Sequence, residues 1–219
     1  MTEQTWGYSG LVGEWRGTTS IERAPEESQA AAVQRLVGQV GEILGEMHRP
    51  RLMTLSWAEY DAEGVEGVFH DLEEIEVASW DAVAAKLEPG QHGGGMSAFS
   101  AVFIELDTAV AEGVDVRWAE SSAELQISVP QPERTAEIAS VSYRTLIDVW
   151  LPRTYGPDGS AHLNVGPAQQ NRHRIERVLR GLKDLVGDSL RVGASDYYFD
   201  EISETGFRDE GGRAASTAG

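Results

Sequence analysis

The stretch Glu124-Leu125-Gln126-Ile127-Ser128-Val129 alternates polar and apolar side chains without a break. Successive side chains of a β-strand point to opposite faces, so Leu125, Ile127 and Val129 belong to a core and Glu124, Gln126 and Ser128 to water. A strand wet on one face is the mark of an antiparallel sheet, because parallel strands are covered on both sides.

Working outward, residues 97–106, 114–120 and 138–151 read as further strands, with Ser121-Ser122 short enough to link a hairpin. Upstream, residues 51–60 and a segment within 65–79 are strands separated by the turn-forming Asp61-Ala62-Glu63-Gly64. Residues 6–23 mix aromatic, glycine and β-branched residues and hold one or two short strands. Residues 161–165 form another strand after the turn at Gly156-Pro157-Asp158-Gly159, and residues 189–199 the last.

Helical periodicity occurs in two long segments. Over 25–48, Val33, Leu36, Val37, Val40, Ile43, Leu44 and Met47 share one face, and Pro25, Glu26 and Glu27 suit a helix start. Over 167–186 the apolar stripe is Ile175, Val178, Leu179, Leu182, Leu185 and Val186, with Gly187 at the end. A short helix covers 81–87. Segregated strands with few crossover helices define an α+β fold: a mostly antiparallel sheet of about six to eight strands, with two long helices and one short helix packed on it. The expected organisation is a single domain over 1–210 and a disordered tail over 211–219.

The first helix carries Gly38, Gly41 and Gly45 on the face opposite its apolar stripe. Each costs about 1 kcal/mol relative to alanine, so the expected return is a close backbone approach, such as a homodimer through these glycines.

Motifs for chemistry fail on spacing. His92-Gly93-Gly94-Gly95 resembles an oxyanion element of lipases, but no Gly-x-Ser-x-Gly elbow accompanies it. The five histidines are scattered, the chain has no cysteine, and no phosphate-binding glycine loop is present. The acidic series Asp71, Glu73, Glu74 and Glu76 splits between two strand faces, which argues against a metal site. No metal, cofactor or catalytic residue is therefore assigned, and the reading points away from an enzyme.

The 219 residues carry 36 acidic and 18 basic side chains, a formal charge of −18. That field repels nucleic acid and anionic lipid and suits a basic protein partner. With no signal peptide at the N-terminus and no apolar run of transmembrane length, the expected location is the cytoplasm. The charge is uneven. Between Leu52 and Val116 there are fourteen carboxylates against Lys86 alone, whereas Arg172, Arg174, Arg177, Arg180 and Lys183 crowd the last long helix.

A compact acidic domain without catalytic motifs has the physical profile of an immunity or antitoxin-type inhibitor that occludes a basic toxin. The expected partner-binding residues are Trp57, Glu59, Tyr60, Asp61, Phe69, Asp71, Glu73, Glu74 and Glu76. His173, Arg177 and Arg180 are expected to face an anion or to form intramolecular ion pairs. Two alternatives stand beside this one. The first is an enzyme or small-ligand binder with a pocket between the sheet and the 167–186 helix. The second is a structural protein dimerising through the glycine face.

Overall fold

The computed structural model describes residues 6–21, 29–60, 67–71, 74–87, 96–129, 138–155, 160–196 and 202–207, with backbone alone at 57–60, 67–71 and 96–99. Along the chain run β1 (Tyr8–Ser20), α1 (Gln29–Leu44), β2 (His48–Tyr60), β3 (Gly67–Asp71), β4 (Ile75–Glu76), α2 (Trp80–Lys86), β5 (Met96–Glu112) and β6 (Asp115–Ser128). There follow β7 (Ile138–Ile147), β8 (Arg153–Tyr155), β9 (Ala161–Leu163), α3 (Val165–Val186), β10 (Arg191–Val192), β11 (Ile202–Ser203) and β12 (Gly206–Phe207). The tail over 208–219 lies outside the described residues.

The main sheet has the order β10-β1-β7-β6-β5-β2-β3, with β4 also paired to β2. Every pairing in it is antiparallel. The α+β architecture expected from 124–129 holds, and so does the phase of that strand. Leu125, Ile127 and Val129 are buried, while Glu124, Gln126 and Ser128 are half-buried on the other face.

One covered face of the sheet forms the core with the helices. Trp15, Tyr143, Ile104, Leu106, Leu125, Ile127, Met53 and Leu55 contribute from the strands. Val33, Leu36, Val37, Val40 and Leu44 of α1 and Ile175, Val178, Leu179 and Leu182 of α3 meet them. Close approach on this side depends on small residues: a Cβ on Gly17 of β1 would lie 2.3 Å from the Val186 side chain of α3. Trp15 is the hinge of the packing at that end. It stacks on Tyr143, meets Phe207 edge to face, and donates from Nε1 to the Ser203 carbonyl at 2.8 Å.

Several boundaries differ from the sequence reading, two of them for a clear physical reason. Ser121-Ser122 do not turn the chain. They lie inside the 14-residue β6, and the β5–β6 hairpin turns at Gly113-Val114. Gly113 has φ +65°, which glycine adopts without steric penalty. Ser121 has φ +47° because it sits in a bulge, where the pairing jumps from Thr108–Ala119 to Leu106–Ala123. The buried Asp107 holds that bulge, its Oδ1 accepting from the Ser121 amide at 3.0 Å and its Oδ2 from Arg49 Nε at 2.9 Å. The final strand is also shorter than expected: a 3₁₀ turn over Gly187–Ser189 takes its start, leaving Arg191–Val192 in the sheet.

Candidate functional site

The face of the sheet away from the helices carries the polar residues, and register sorts them into rows. One row runs Arg191, Arg16, Ser142, Gln126, Phe103, Thr54 across six strands. The next runs Glu14, Arg144, Glu124, Glu105, Leu52, Glu76. A third, Thr18, Ser140, Ser128, Ala101, Ser56, is hydroxyl-rich. Residues directly opposite each other on antiparallel strands touch through their side chains, so the rows are a map of local charge.

That map has two poles. Toward β10 and β1, Arg16 stands opposite Arg191. Toward β5 and β6, Glu105 stands opposite Glu124. Like charges placed directly across a sheet disfavour the fold by a few tenths of a kcal/mol to about 1 kcal/mol. Arg144 lies between the poles, its Nε 2.7 Å from Glu14 and its Nη1 3.3 Å from Glu124.

Glu14 is the most constrained group on this face. It has no exposed surface, yet it accepts from Arg16, from Arg144, from Ser142 Oγ at 3.1 Å and from the Ala194 amide at 3.0 Å. Burial alone would raise its pKa. The hydrogen bonds from Arg16, Arg144 and Ala194, with the Arg144 charge, outweigh burial and bring it down to about 2. Gly193 lies directly over it, where a Cβ would come within 2.4 Å of Glu14 Oε2.

Two grooves open on this face. The larger, about 440 Å³, spans β1, β7 and β6 and is lined by Arg16, Thr18, Ser140, Ser142, Arg144 and Arg191, over Glu14. The smaller, about 220 Å³, is lined by Leu52, Thr54, Glu74, Phe103, Glu105 and Glu124. Phe103 is 42% exposed at mid-sheet, with three carboxylates around it. An aromatic face among carboxylates is suited to a cation.

The expected partner-binding residues fall along one edge of the sheet. Trp57, Glu59 and Tyr60 are on β2, and Phe69 and Asp71 on the edge strand β3, with Ala58 opposite Phe69 and Ser56 opposite Asp71. The side chains of these five, and Asp61 and Glu73 entirely, lie outside the described residues. Glu74 and Glu76 are exposed on either side of Ile75. Pairing of β4 with β2 brings Glu74 to the Phe103 groove and sets Glu76 opposite Leu52. Phe103, Glu105 and Glu124 were not among the residues expected from sequence. Their shared face is visible only once Phe103 is known to pair with Gln126.

The two grooves lie on the face away from α3. Between the sheet and α3 stand the buried side chains of Ile175, Val178, Leu179, Leu182 and Val186. On α3, Arg177 pairs with Glu46, while His173 and Arg180 are exposed. Arg172 pairs with Glu176 at 3.1 Å and Lys183 with Glu204 at 3.5 Å. These pairings connect α3 to carboxylates outside the acidic 52–116 segment. Arg174 donates to the Ala109 carbonyl, and burial together with the neighbouring Arg177 lowers its pKa.

Of the three glycines expected to share a face, Gly38 and Gly41 lie in α1 and Gly45 just past its end. Gly41 is covered by the indole of Trp80 from α2, and a Cβ there would come within 2.9 Å of the ring. A Cβ on Gly45 would meet the Gly41 carbonyl at 2.8 Å, and one on Gly38 would meet nothing within 4 Å. Among the described residues no helix is long and apolar enough to cross a membrane, and no three His, Asp or Glu side chains are grouped to hold a metal ion. No family model, curated protein or solved structure matches the chain.

Proposed function

We propose that the chain is a non-catalytic partner-binding protein, an inhibitor of the immunity or antitoxin kind, whose open sheet face receives an arginine or lysine of a basic protein. The observation that carries this reading is the pairing of Glu105 with Glu124 beside the exposed Phe103, with Glu74 at the rim. A cation placed there relieves the repulsion of the facing carboxylates and stacks on an aromatic ring. The net charge of −18 adds long-range attraction for a basic partner and speeds encounter. Expected contacts from the 59–76 segment flank this groove through Glu74.

The test is capture of the stoichiometric partner from the native cell, followed by binding kinetics of the purified pair. Phe103→Ala should raise Kd by roughly tenfold or more, mainly through faster dissociation, as a buried aromatic anchor does. Glu74→Lys should slow association and flatten the salt dependence. Binding that ignores both substitutions and does not weaken with salt would refute the reading.

A further inference from the structure

The second pole of the open face carries the opposite charge. We infer that the groove over Glu14 binds the phosphate group of a small phosphate monoester, held between Arg16 and Arg191 with the hydroxyls of Thr18 and Ser140 beside it. This groove adjoins the Phe103 groove, sharing Gln126 and Arg144 with it, but its assignment does not depend on the partner reading.

Three features converge on that ligand. First, the charge is inverted locally. In a chain of net −18 the groove gathers three arginines, Arg16, Arg144 and Arg191, against the single carboxylate of Glu14 in its lining. Glu124 and Glu204 reach Arg144 and Arg191 from outside the lining, at 3.3 and 3.7 Å. Second, the arginines are arranged as a receptor. Arg16 and Arg191 face each other across β1 and β10 with side chains 59% and 66% exposed; Arg16 Nη2 is held by Glu14 and Arg191 Nη1 by the Asp188 and Leu190 carbonyls, so the other nitrogens are those a ligand would meet. An oxyanion between them replaces repulsion with charge-assisted hydrogen bonds. Third, Glu14 cannot neutralise the pair by moving. It is fully buried, accepts four hydrogen bonds and is covered by Gly193, so it orients Arg16 and Arg144 and leaves their remaining donors directed outward.

The hydroxyls decide the shape. Thr18 and Ser140 are directly opposite each other in the row beside Arg16, so two hydroxyl donors flank the arginines from one side. That suits the several oxygens of a tetrahedral anion better than a planar carboxylate. The volume of about 440 Å³ exceeds what a bare anion fills and falls within the range of small-molecule sites, about 300–1,000 Å³. Ser128 and Gln126 extend the groove along β6 for the ester's alcohol portion.

Titration calorimetry on the full chain tests this, with glycerol phosphate, inorganic phosphate and acetate compared at matched ionic strength. Glycerol phosphate should bind saturably at one site, more tightly than inorganic phosphate and much more tightly than acetate. Arg16→Gln and Arg191→Gln should each weaken it by roughly tenfold or more, as loss of one charge-assisted contact does. Ser140→Ala, which leaves the arginines in place, should weaken it by a smaller factor. Arg51→Gln, which removes a cation paired with Glu120 outside the groove, should change nothing. Absence of saturable binding would overturn the assignment, as would an equal loss in Arg51→Gln. Inorganic phosphate or acetate binding as tightly as the ester would overturn it too.

Discussion

At the scale of single residues, His48 is the group whose protonation the fold forbids. It is 1% exposed, and its Nε2 lies 2.9 Å from the Tyr143 hydroxyl and its Nδ1 3.1 Å from Thr108 Oγ1. Ser122 Oγ lies 2.6 Å from Thr108 Oγ1 and points its one proton at the Ala119 carbonyl, 2.8 Å away. The Thr108 hydroxyl must then donate to Ser122, Nδ1–H to Thr108, and the Tyr143 hydroxyl to Nε2. Every proton has one acceptor, and a second proton on Nε2 would face the Tyr143 hydroxyl that already donates to it. Burial is the main cause that lowers the His48 pKa, to about 3, and the charge of Arg174 adds to it against a backbone carbonyl at Asp107. A histidine in the unfolded chain titrates near 6.5, so below that pH the unfolded state binds the extra proton and folding stability falls as pH drops. The loss builds to about 5 kcal/mol at pH 3. Glu14 works in the same direction lower down: its stabilisation is complete above 4.5 and is lost as pH falls toward 2. Urea unfolding of His48→Gln, whose amide can replace both hydrogen bonds, should show little pH dependence between 6.5 and 4.5 where the parent declines. A parent curve already flat in that window would show that His48 is not the group responsible.

At the scale of elements, α2 depends on one glycine of α1. Alanine normally stabilises a helix interior by about 1 kcal/mol over glycine, and Gly38→Ala, with open space around it, should show that gain. Gly41→Ala should instead lower stability by about 1–3 kcal/mol, because its methyl would displace Trp80 and lift α2 from α1. Chemical denaturation of the two variants, with tryptophan emission as a second signal, separates them; equal gains at both positions would remove Trp80 as the reason for Gly41. The same contrast shows what the sequence could and could not convey. Gly38, Gly41 and Gly45 are visibly one face, but that Gly41 alone is closely covered, by Trp80 of α2 about 40 residues away, is not. The phase of 124–129 is legible because both faces are stated locally, apolar against polar. The hairpin turn was misplaced because Ser121-Ser122 has the polarity of a link, whereas the positive φ at Gly113 and the Asp107 staple at the bulge depend on register. Glu14 gives no local sign of burial either: Gly13-Glu14-Trp15-Arg16 has the composition of a surface strand until residues 193–194 close over it.

At the scale of the whole molecule, the −18 charge opposes compaction, and the described ion pairs offset it only locally. Added sodium chloride shortens the screening length to about 8 Å at 0.15 M, so the thermal midpoint should rise between low and physiological salt. A midpoint that falls would mean that pairs such as Arg144 with Glu14 and Glu124 contribute more than the overall repulsion opposes. The sheet order has a separate consequence for biosynthesis. β5 and β6 can pair as soon as Ser128 has left the ribosome, but β1 waits. Its neighbours are β7 and β10, and Trp15 is enclosed by Tyr143, Ser203 and Phe207. β1 is made long before the residues that shelter it, and a nascent chain halted before Ser203 and Phe207 leaves that tryptophan only partly covered, open to whatever chaperone meets it first.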